Sequence, residues 1–165
     1  MAPSRQRHRL LVVANRTVDA PGLLDELERR AADRPIELTL LIPAAWNEHE
    51  ESAERAKAAV DALRERGLDV AQAVLGDADP VCAVEEEWDP RRYDEVLVVT
   101  LPTGTSRWLQ VDLPHRVARL TDASVEHVEI APAPPPEESR FERTDKPRDP
   151  FLVRLLSTMR VSLRS

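Results

Sequence analysis

Short apolar segments alternate along this chain with longer segments in which apolar residues recur every three or four positions. The short segments are rich in valine, leucine and isoleucine and have the length of strands that are buried on both faces. They predict five strands, at residues 9–14, 36–42, 68–75, 96–100 and 125–130. The longer segments between them have the periodicity of amphipathic helices.

The ends of the predicted helices are marked by residues that favour capping positions. A short polar side chain that accepts a bond from a free backbone N–H is typical of a helix start. The predicted starts are at Asp19 (with Pro21 in the first turn), Ser52, Asp79 and Asp112. Gly67 is expected to end the second helix, because glycine readily adopts the left-handed conformation found there.

Strands and helices that alternate in this way predict an α/β fold, a doubly wound three-layer sandwich with a five-stranded parallel sheet between helices. For five strands we expect a flavodoxin-like strand order. The folded domain is predicted to span residues 1–131. A C-terminal extension follows, with a proline-rich charged linker over 132–150 and an amphipathic helix over 151–165.

The predicted C-terminal helix has Phe151, Leu155 and Met159 on one side and contains arginine but no acidic residue. We expect it to dock on its own domain or on a partner subunit. The alternative is a helix on a membrane surface, since basic amphipathic helices can lie among lipid headgroups.

Composition and charge exclude several classes of protein. The chain has 165 residues and a formal net charge of −7, which argues against a general nucleic-acid binder. No apolar run approaches the roughly 20 residues that cross a bilayer, and the N-terminal apolar run is too short for a secretory signal. The single cysteine, Cys82, fits a reducing compartment. We therefore expect a cytoplasmic protein that binds neither nucleic acid nor membranes.

The loop after the fourth predicted strand lies where open parallel sheets bind their ligands. It carries several hydroxyl groups and Arg107, whose guanidinium can bind an anionic group or pair with Asp112 or another acid. Trp108 follows, and three interpretations stay open for it: a core residue beneath the loop, an anchor at an interface, or a stacking platform for a base.

The sequence predicts no catalytic residue and no metal site. The four histidines, His8, His49, His115 and His127, are far apart in sequence, and one cysteine cannot form a thiolate set. A strand–G-x-S-x-G–helix motif that would expose a nucleophilic serine is absent. The acidic runs at 48–51 and 85–87 are expected to be solvated helix faces.

Three features of the chain resemble the universal stress protein family. The first strand ends in VVANRT (12–17), the predicted elements match that family in order and length over 9–131, and SRWLQVDLPHRVAR (106–119) aligns without gaps with its segment before the last strand. The resemblance implies a Rossmann-like fold of the adenine nucleotide alpha hydrolase type. It also implies a homodimer through the last strand, to which the C-terminal helix could add a contact.

The chain departs from the motif of the family's ATP-binding members, G-x2-G-x9-G-[ST]. Its final pair corresponds to Val111-Asp112, only Gly104 is present of the earlier part, and the family's adenine-side aspartate corresponds to Asn15. Glycines in such a motif let backbone amides approach the phosphates. A carboxylate at the helix start would repel a phosphate, so we expect no ATP binding in the family's usual mode.

The function expected from these features is that of a non-catalytic, dimeric, stress-related regulatory or interaction module without a cofactor. The alternative is an adenine-nucleotide-binding protein or weak nucleotide hydrolase that holds ATP or AMP in the crevice after strands 1 and 4. The binding residues for that alternative are Asn15, Thr17, Thr100, Gly104, Ser106 and Arg107.

Overall fold

A computed structural model describes residues 7–102, 104 and 106–131 of the chain. Its elements follow one another as β1 (His8–Val13), α1 (Pro21–Asp33), β2 (Ile36–Pro43), a 3-10 turn (Trp46–Glu48), α2 (His49–Glu65), β3 (Asp69–Gly76), α3 (Pro80–Glu87), β4 (Glu95–Thr100), α4 (Arg107–Gln110), α5 (Leu113–Thr121) and β5 (Ser124–Glu129). The predicted linker and C-terminal helix lie outside the described residues.

The five strands form one parallel sheet in the order β3-β2-β1-β4-β5. The doubly wound α/β prediction is confirmed, but the flavodoxin-like order is wrong, because that order would place β3 between β1 and β4. The alternation of apolar segments along the chain is the same for both orders and does not distinguish them. From β1 the chain adds β2 and β3 on one side of the sheet and then β4 and β5 on the other, so that a crevice opens between β1 and β4, as it does at such a point in doubly wound sheets.

Helices cover both faces of the sheet and enclose two apolar clusters. One cluster joins β1, β2 and β4 to α1 and α2, with Leu23, Leu27 and Leu63 fully buried. The other joins the opposite face to α3 and α5 through Val84 and Val117. In the described part of the chain, no helix combines the length and apolarity needed to span a bilayer.

Two predicted helix ends are confirmed. Asp79 caps α3, because its side chain accepts hydrogen bonds from the backbone N–H groups of Val81 and Cys82 at 2.8 and 3.4 Å. Gly67 follows α2 with a φ of +81°, the left-handed conformation that its lack of a side chain permits.

Two predicted helix starts are wrong. Helix α1 begins at Pro21 after Ala20, and Asp19 instead forms an ion pair with Arg55. Helix α2 begins at His49 rather than Ser52, since the 3-10 turn before it starts the helical path three residues earlier. Ser52 is buried within the helix.

Candidate functional site

A cleft of about 1010 Å³ opens at the carboxyl ends of β1, β2 and β4. Its walls come from the segments that follow these strands and from the starts of α2, α3, α4 and α5. The polar and charged residues that line it are Asn15, Arg16, Thr17, Asp19, Glu48, Glu51, Ser52, Arg55, Asp79, Thr100, Ser106, Arg107 and Arg116. The cleft is therefore where sheet topology predicts a ligand.

Asn15 and Thr17 lie in the turn after β1, and both side chains bond to neighbouring strand ends. The Asn15 amide nitrogen donates to the Pro43 carbonyl at 2.8 Å, so the amide oxygen is the group that this side chain can offer to a ligand. The Thr17 hydroxyl donates to the Val99 carbonyl at 3.4 Å and is almost fully buried. These bonds fix the floor of the cleft between β1, β2 and β4.

Arg55 of α2 holds the same turn from the side. Its Nη2 donates to Asp19 Oδ1 at 2.9 Å and to the Asn15 carbonyl at 3.2 Å. The hydrogen bond from Arg55 holds the pKa of the Asp19 carboxyl below its ordinary value, so this pair is charged at neutral pH. Because it is paired, Arg55 fixes the position of the turn.

The loop after β4 forms the opposite wall. Thr100 is 2% exposed, and its hydroxyl lies 2.8 Å from Nε2 of His127 on β5. Ser106 is buried and Arg107 is exposed at the first residue of α4; both line the cleft. Gly104 has a φ of +94° and is not among the described residues that line the cleft, and its role in binding stays a prediction. Thr103 and Thr105 lie outside the described residues.

Apart from the Arg55–Asp19 ion pair, the charged side chains of the cleft are divided between its two sides. Three carboxylates, those of Glu48, Glu51 and Asp79, follow β2 and β3. Three guanidinium groups follow β1 and β4, those of Arg16, Arg107 and Arg116. Among the described residues, no carboxylate forms an ion pair with any of these three arginines. Within the described residues, the β1 and β4 side of the cleft therefore presents guanidinium groups that could bind an anion.

The structure places Asp112 differently from the prediction. Its backbone is left-handed, with φ +53° and ψ +45°, and its side chain makes no capping bond to α5. The carboxylate instead lies 2.8 Å from Nδ1 of His115, on the exposed surface and not among the cleft residues. Of the alternatives left open for Arg107, pairing with Asp112 is therefore excluded, and the Asp112 carboxylate lies outside the described cleft.

Trp108 is partly buried and packs against the apolar cluster under α3 and α5, which supports the interpretation as a core residue beneath the loop. It also lines the cleft beside Val111, whose side chain is 48% exposed. A branched side chain at this position occupies space that a glycine would leave to a phosphate.

Among the described residues of the cleft, no serine is hydrogen-bonded to a histidine. Ser106 has no described histidine as a hydrogen-bonding partner, and His115 and Asp112 bond to each other outside the cleft. Within the described residues, no three histidine, cysteine, aspartate or glutamate side chains lie close enough together to hold a metal ion.

Sequence reasoning missed several cleft residues. Arg16 directly follows Asn15 at the end of a central strand, so its position in the cleft could have been inferred from the sequence. Arg55 and Arg116 belong to helices, and their approach to the cleft depends on helix packing that no local pattern reports.

Comparison with known proteins supports one fold. No family profile and no curated protein matches the chain. Solved structures do match: a universal stress protein in complex with cAMP superposes with a TM-score of 0.55 at 20% identity, over 74% of this chain and 97% of that one. A universal stress protein from Archaeoglobus fulgidus gives 0.54 at 11% identity, over 74% and 93%. This chain has the universal stress protein fold.

The fold agrees with the family resemblance stated from the sequence. The similarity is one of architecture, since the identities are low. The residues that line the crevice between β1 and β4 are specific to this chain, so they determine what it can bind.

Proposed function

We propose that this protein is a non-catalytic cytoplasmic module that binds an adenine nucleotide with one phosphate in the cleft described above. This combines the non-catalytic expectation with the nucleotide-binding alternative. The observation that carries the proposal is the divided charge of the cleft: arginines with no ion pair to a described residue follow β1 and β4, and carboxylates follow β2 and β3.

Each side of the cleft fits one part of such a ligand. Guanidinium groups bind phosphate with charge-assisted, bidentate hydrogen bonds, which suits Arg107 and Arg116. Carboxylates accept hydrogen bonds from ribose hydroxyls or an exocyclic amino group, which suits Glu48 and Glu51. The Asn15 amide oxygen adds an acceptor between the two sides.

One phosphate fits the cleft better than three. A glycine-rich loop brings several backbone N–H groups to a polyphosphate, but Gly104 does not line this cleft and Val111 places a side chain in it. Two or three guanidinium groups match the charge of a monophosphate and leave most of a triphosphate uncompensated. The similar universal stress protein solved in complex with cAMP supports a monophosphate ligand.

Isothermal titration of the full-length protein with AMP, cAMP, ATP and adenosine tests this proposal. We expect AMP or cAMP to bind more tightly than ATP, and adenosine to bind at least tenfold more weakly. Arg107→Ala and Arg116→Ala should each weaken AMP binding about tenfold, since a hydrogen bond to a charged group contributes roughly 1.5–3 kcal/mol.

Arg119→Ala is the matched control, because Arg119 lies on the same helix as Arg116 but is not among the cleft residues. It should bind AMP as the wild type does. The proposal is wrong if the wild type gives no heat with any of the four ligands, or if all three arginine variants bind equally.

We also propose that the protein forms a homodimer through β5. Strand β5 is at the edge of the sheet, and an unpaired strand edge offers backbone N–H and C=O groups to another strand. Val125 and Val128 are only partly buried there. The predicted C-terminal helix would add a second contact.

Sedimentation equilibrium distinguishes the two contacts. The full-length chain should be dimeric, and a chain truncated after residue 133 should remain dimeric if β5 is the main interface. A dimer that becomes a monomer on truncation would assign the association to the C-terminal segment, and a monomeric full-length chain would refute the dimer.

A further inference from the structure

One hydrogen bond joins the cleft to the outer edge of the sheet. The Thr100 hydroxyl, at the end of β4, lies 2.8 Å from Nε2 of His127 on the outermost strand β5. Thr100 is 2% exposed and lines the cleft, whereas His127 is exposed on the edge strand. A single contact therefore links the surface of β5 to the wall of the cleft.

The direction of this hydrogen bond decides what Thr100 offers to a ligand. A threonine hydroxyl has one proton and two lone pairs. If Nε2 of His127 is unprotonated, it accepts a hydrogen bond from the Thr100 hydroxyl, and the hydroxyl then presents only its lone pairs to the cleft. If Nε2 carries a proton and donates, the Thr100 proton is free to be donated to a ligand.

The second arrangement fits the charge of the cleft. Arg107 and Arg116 on the same side attract an anion, and an anion is stabilised by donors and repelled by lone pairs. The neighbouring Thr17 cannot serve in this way, because its hydroxyl donates to the Val99 carbonyl. Of the two described threonines that line the cleft, Thr100 is therefore the one whose hydroxyl can donate a hydrogen bond to a ligand.

We infer that His127 is a positioning residue for the ligand: its Nε2–H donates to Thr100, so that the Thr100 hydroxyl donates to the anionic group held by Arg107 and Arg116. This inference rests on the proposed function of the cleft. It adds one hydrogen bond to the ligand, from Thr100, whose direction is set by His127 from outside the cleft.

Nitrogen NMR of the full-length protein without ligand tests the direction of the bond. The ¹⁵N shifts of the His127 ring at pH 7.5, assigned by comparison with His127→Gln, report which nitrogen carries the proton. We expect a protonated Nε2. An unprotonated Nε2 with the proton on Nδ1 would overturn the inference.

Titration with AMP tests its consequence. His127→Leu and Thr100→Val should each weaken AMP binding about tenfold, and the double variant should bind no more weakly than either single variant, because both remove one contact. His127→Gln should retain most of the affinity, since its amide can still donate to Thr100. His115→Leu is the matched control and should bind as the wild type, because His115 is exposed and outside the cleft.

The outcomes separate the inference from the function on which it rests. If the wild type binds AMP and His127→Leu binds it equally well, the cleft binds nucleotide but His127 does not position the ligand. Additive losses in the double variant would also overturn the inference. If the wild type binds no AMP, the proposed function fails and the inference fails with it.

Discussion

Arg9 and Asp94 form an ion pair outside the cleft that is joined by three hydrogen bonds. The Asp94 carboxylate accepts hydrogen bonds from Arg9 Nη2 at 2.7 Å, from Nε at 3.1 Å and from the Arg9 backbone N–H at 2.8 Å. These bonds, the side-chain ones foremost, lower the pKa of Asp94 from 3.8 to about 2. The pair ties the start of β1 to the residue before β4, at the end of the sheet opposite to the cleft.

Because the pKa of Asp94 is lower in the folded state, its stabilising effect is present above pH 4 and is lost as the pH falls toward 2. Asp94→Asn should therefore reduce the free energy of unfolding at pH 7 by on the order of 1 kcal/mol, since solvent screens this partly exposed pair. The difference between variant and wild type should narrow between pH 4 and 2. Urea unfolding at pH 7, 5, 4 and 3 measures it.

Asp61→Asn is the control, because Asp61 pairs with Lys57 on an exposed helix face. It should change stability at pH 7 by less than about 0.5 kcal/mol. A difference between Asp94→Asn and wild type that stays constant down to pH 3 would contradict the role given to this carboxylate.

Single residues of the cleft show which part of a site sequence can predict. The cleft is lined by five of the residues named from the sequence, because strand ends in a parallel sheet meet at one edge: Asn15, Thr17, Thr100, Ser106 and Arg107. Their role in binding a nucleotide stays a prediction. Asp112 could not be placed correctly, since its left-handed backbone turns its side chain toward His115. Aspartate is favoured both at helix caps and in tight turns, so the sequence does not show which of the two positions Asp112 occupies.

At the scale of elements, the close approach of β3 and α3 fixes one wall of the cleft. A Cβ at Gly76 would lie 2.6 Å from Ala83 Cβ and 3.0 Å from Leu41 Cδ1. Only glycine lets α3 begin so near the end of β3. This packing brings Asp79 and Pro80, at the start of α3, into the cleft wall.

Gly76→Ala should therefore lower the free energy of unfolding by about 1–3 kcal/mol, the usual cost of overpacking. Gly22→Ala is the comparison: its Cβ would be within 3.0 Å of one atom, the Ile130 Cγ2 methyl at 2.9 Å, and alanine is favoured over glycine in α1, which offsets part of that cost. Its cost should be below about 1 kcal/mol. Thermal or urea unfolding compares them, and equal stability of Gly76→Ala and wild type would refute the packing argument.

Element boundaries were predicted best where packing and sequence pattern agree. The strands were predicted to within one or two residues, since an apolar run buried on both faces ends where polar residues begin. Helix α2 was predicted late because the 3-10 turn at Trp46–Glu48 has no apolar periodicity. Helix α4 was not predicted, since four residues are too few for a period to be seen.

For the whole molecule, the order of the strands is the feature that the predicted pattern left undetermined. The composition of the strands contains a signal for it. Strand β2 is an almost unbroken apolar run and lies inside the sheet, whereas β3 has exposed Ala71, Gln72 and Ala73 and lies at its edge. The flavodoxin-like order would have reversed these positions and buried Gln72.

The strand order determines which loops meet at the cleft, and so it determines the proposed function. With β1 beside β4, the Asn15 turn faces the Arg107 segment, and α2 supplies carboxylates from the next strand along. The separation of acidic from basic residues across the cleft is a property of this order. This separation of charges could therefore not be predicted from the sequence of residues 9–131 until the strand order was known.

A crystal structure of the full-length protein grown with AMP tests the central claim most directly. We predict AMP in the cleft between β1 and β4, with its phosphate against Arg107 and Arg116 and its ribose or base toward Glu48 and Glu51. An empty cleft at saturating AMP, or a phosphate bound away from both arginines, would contradict the account.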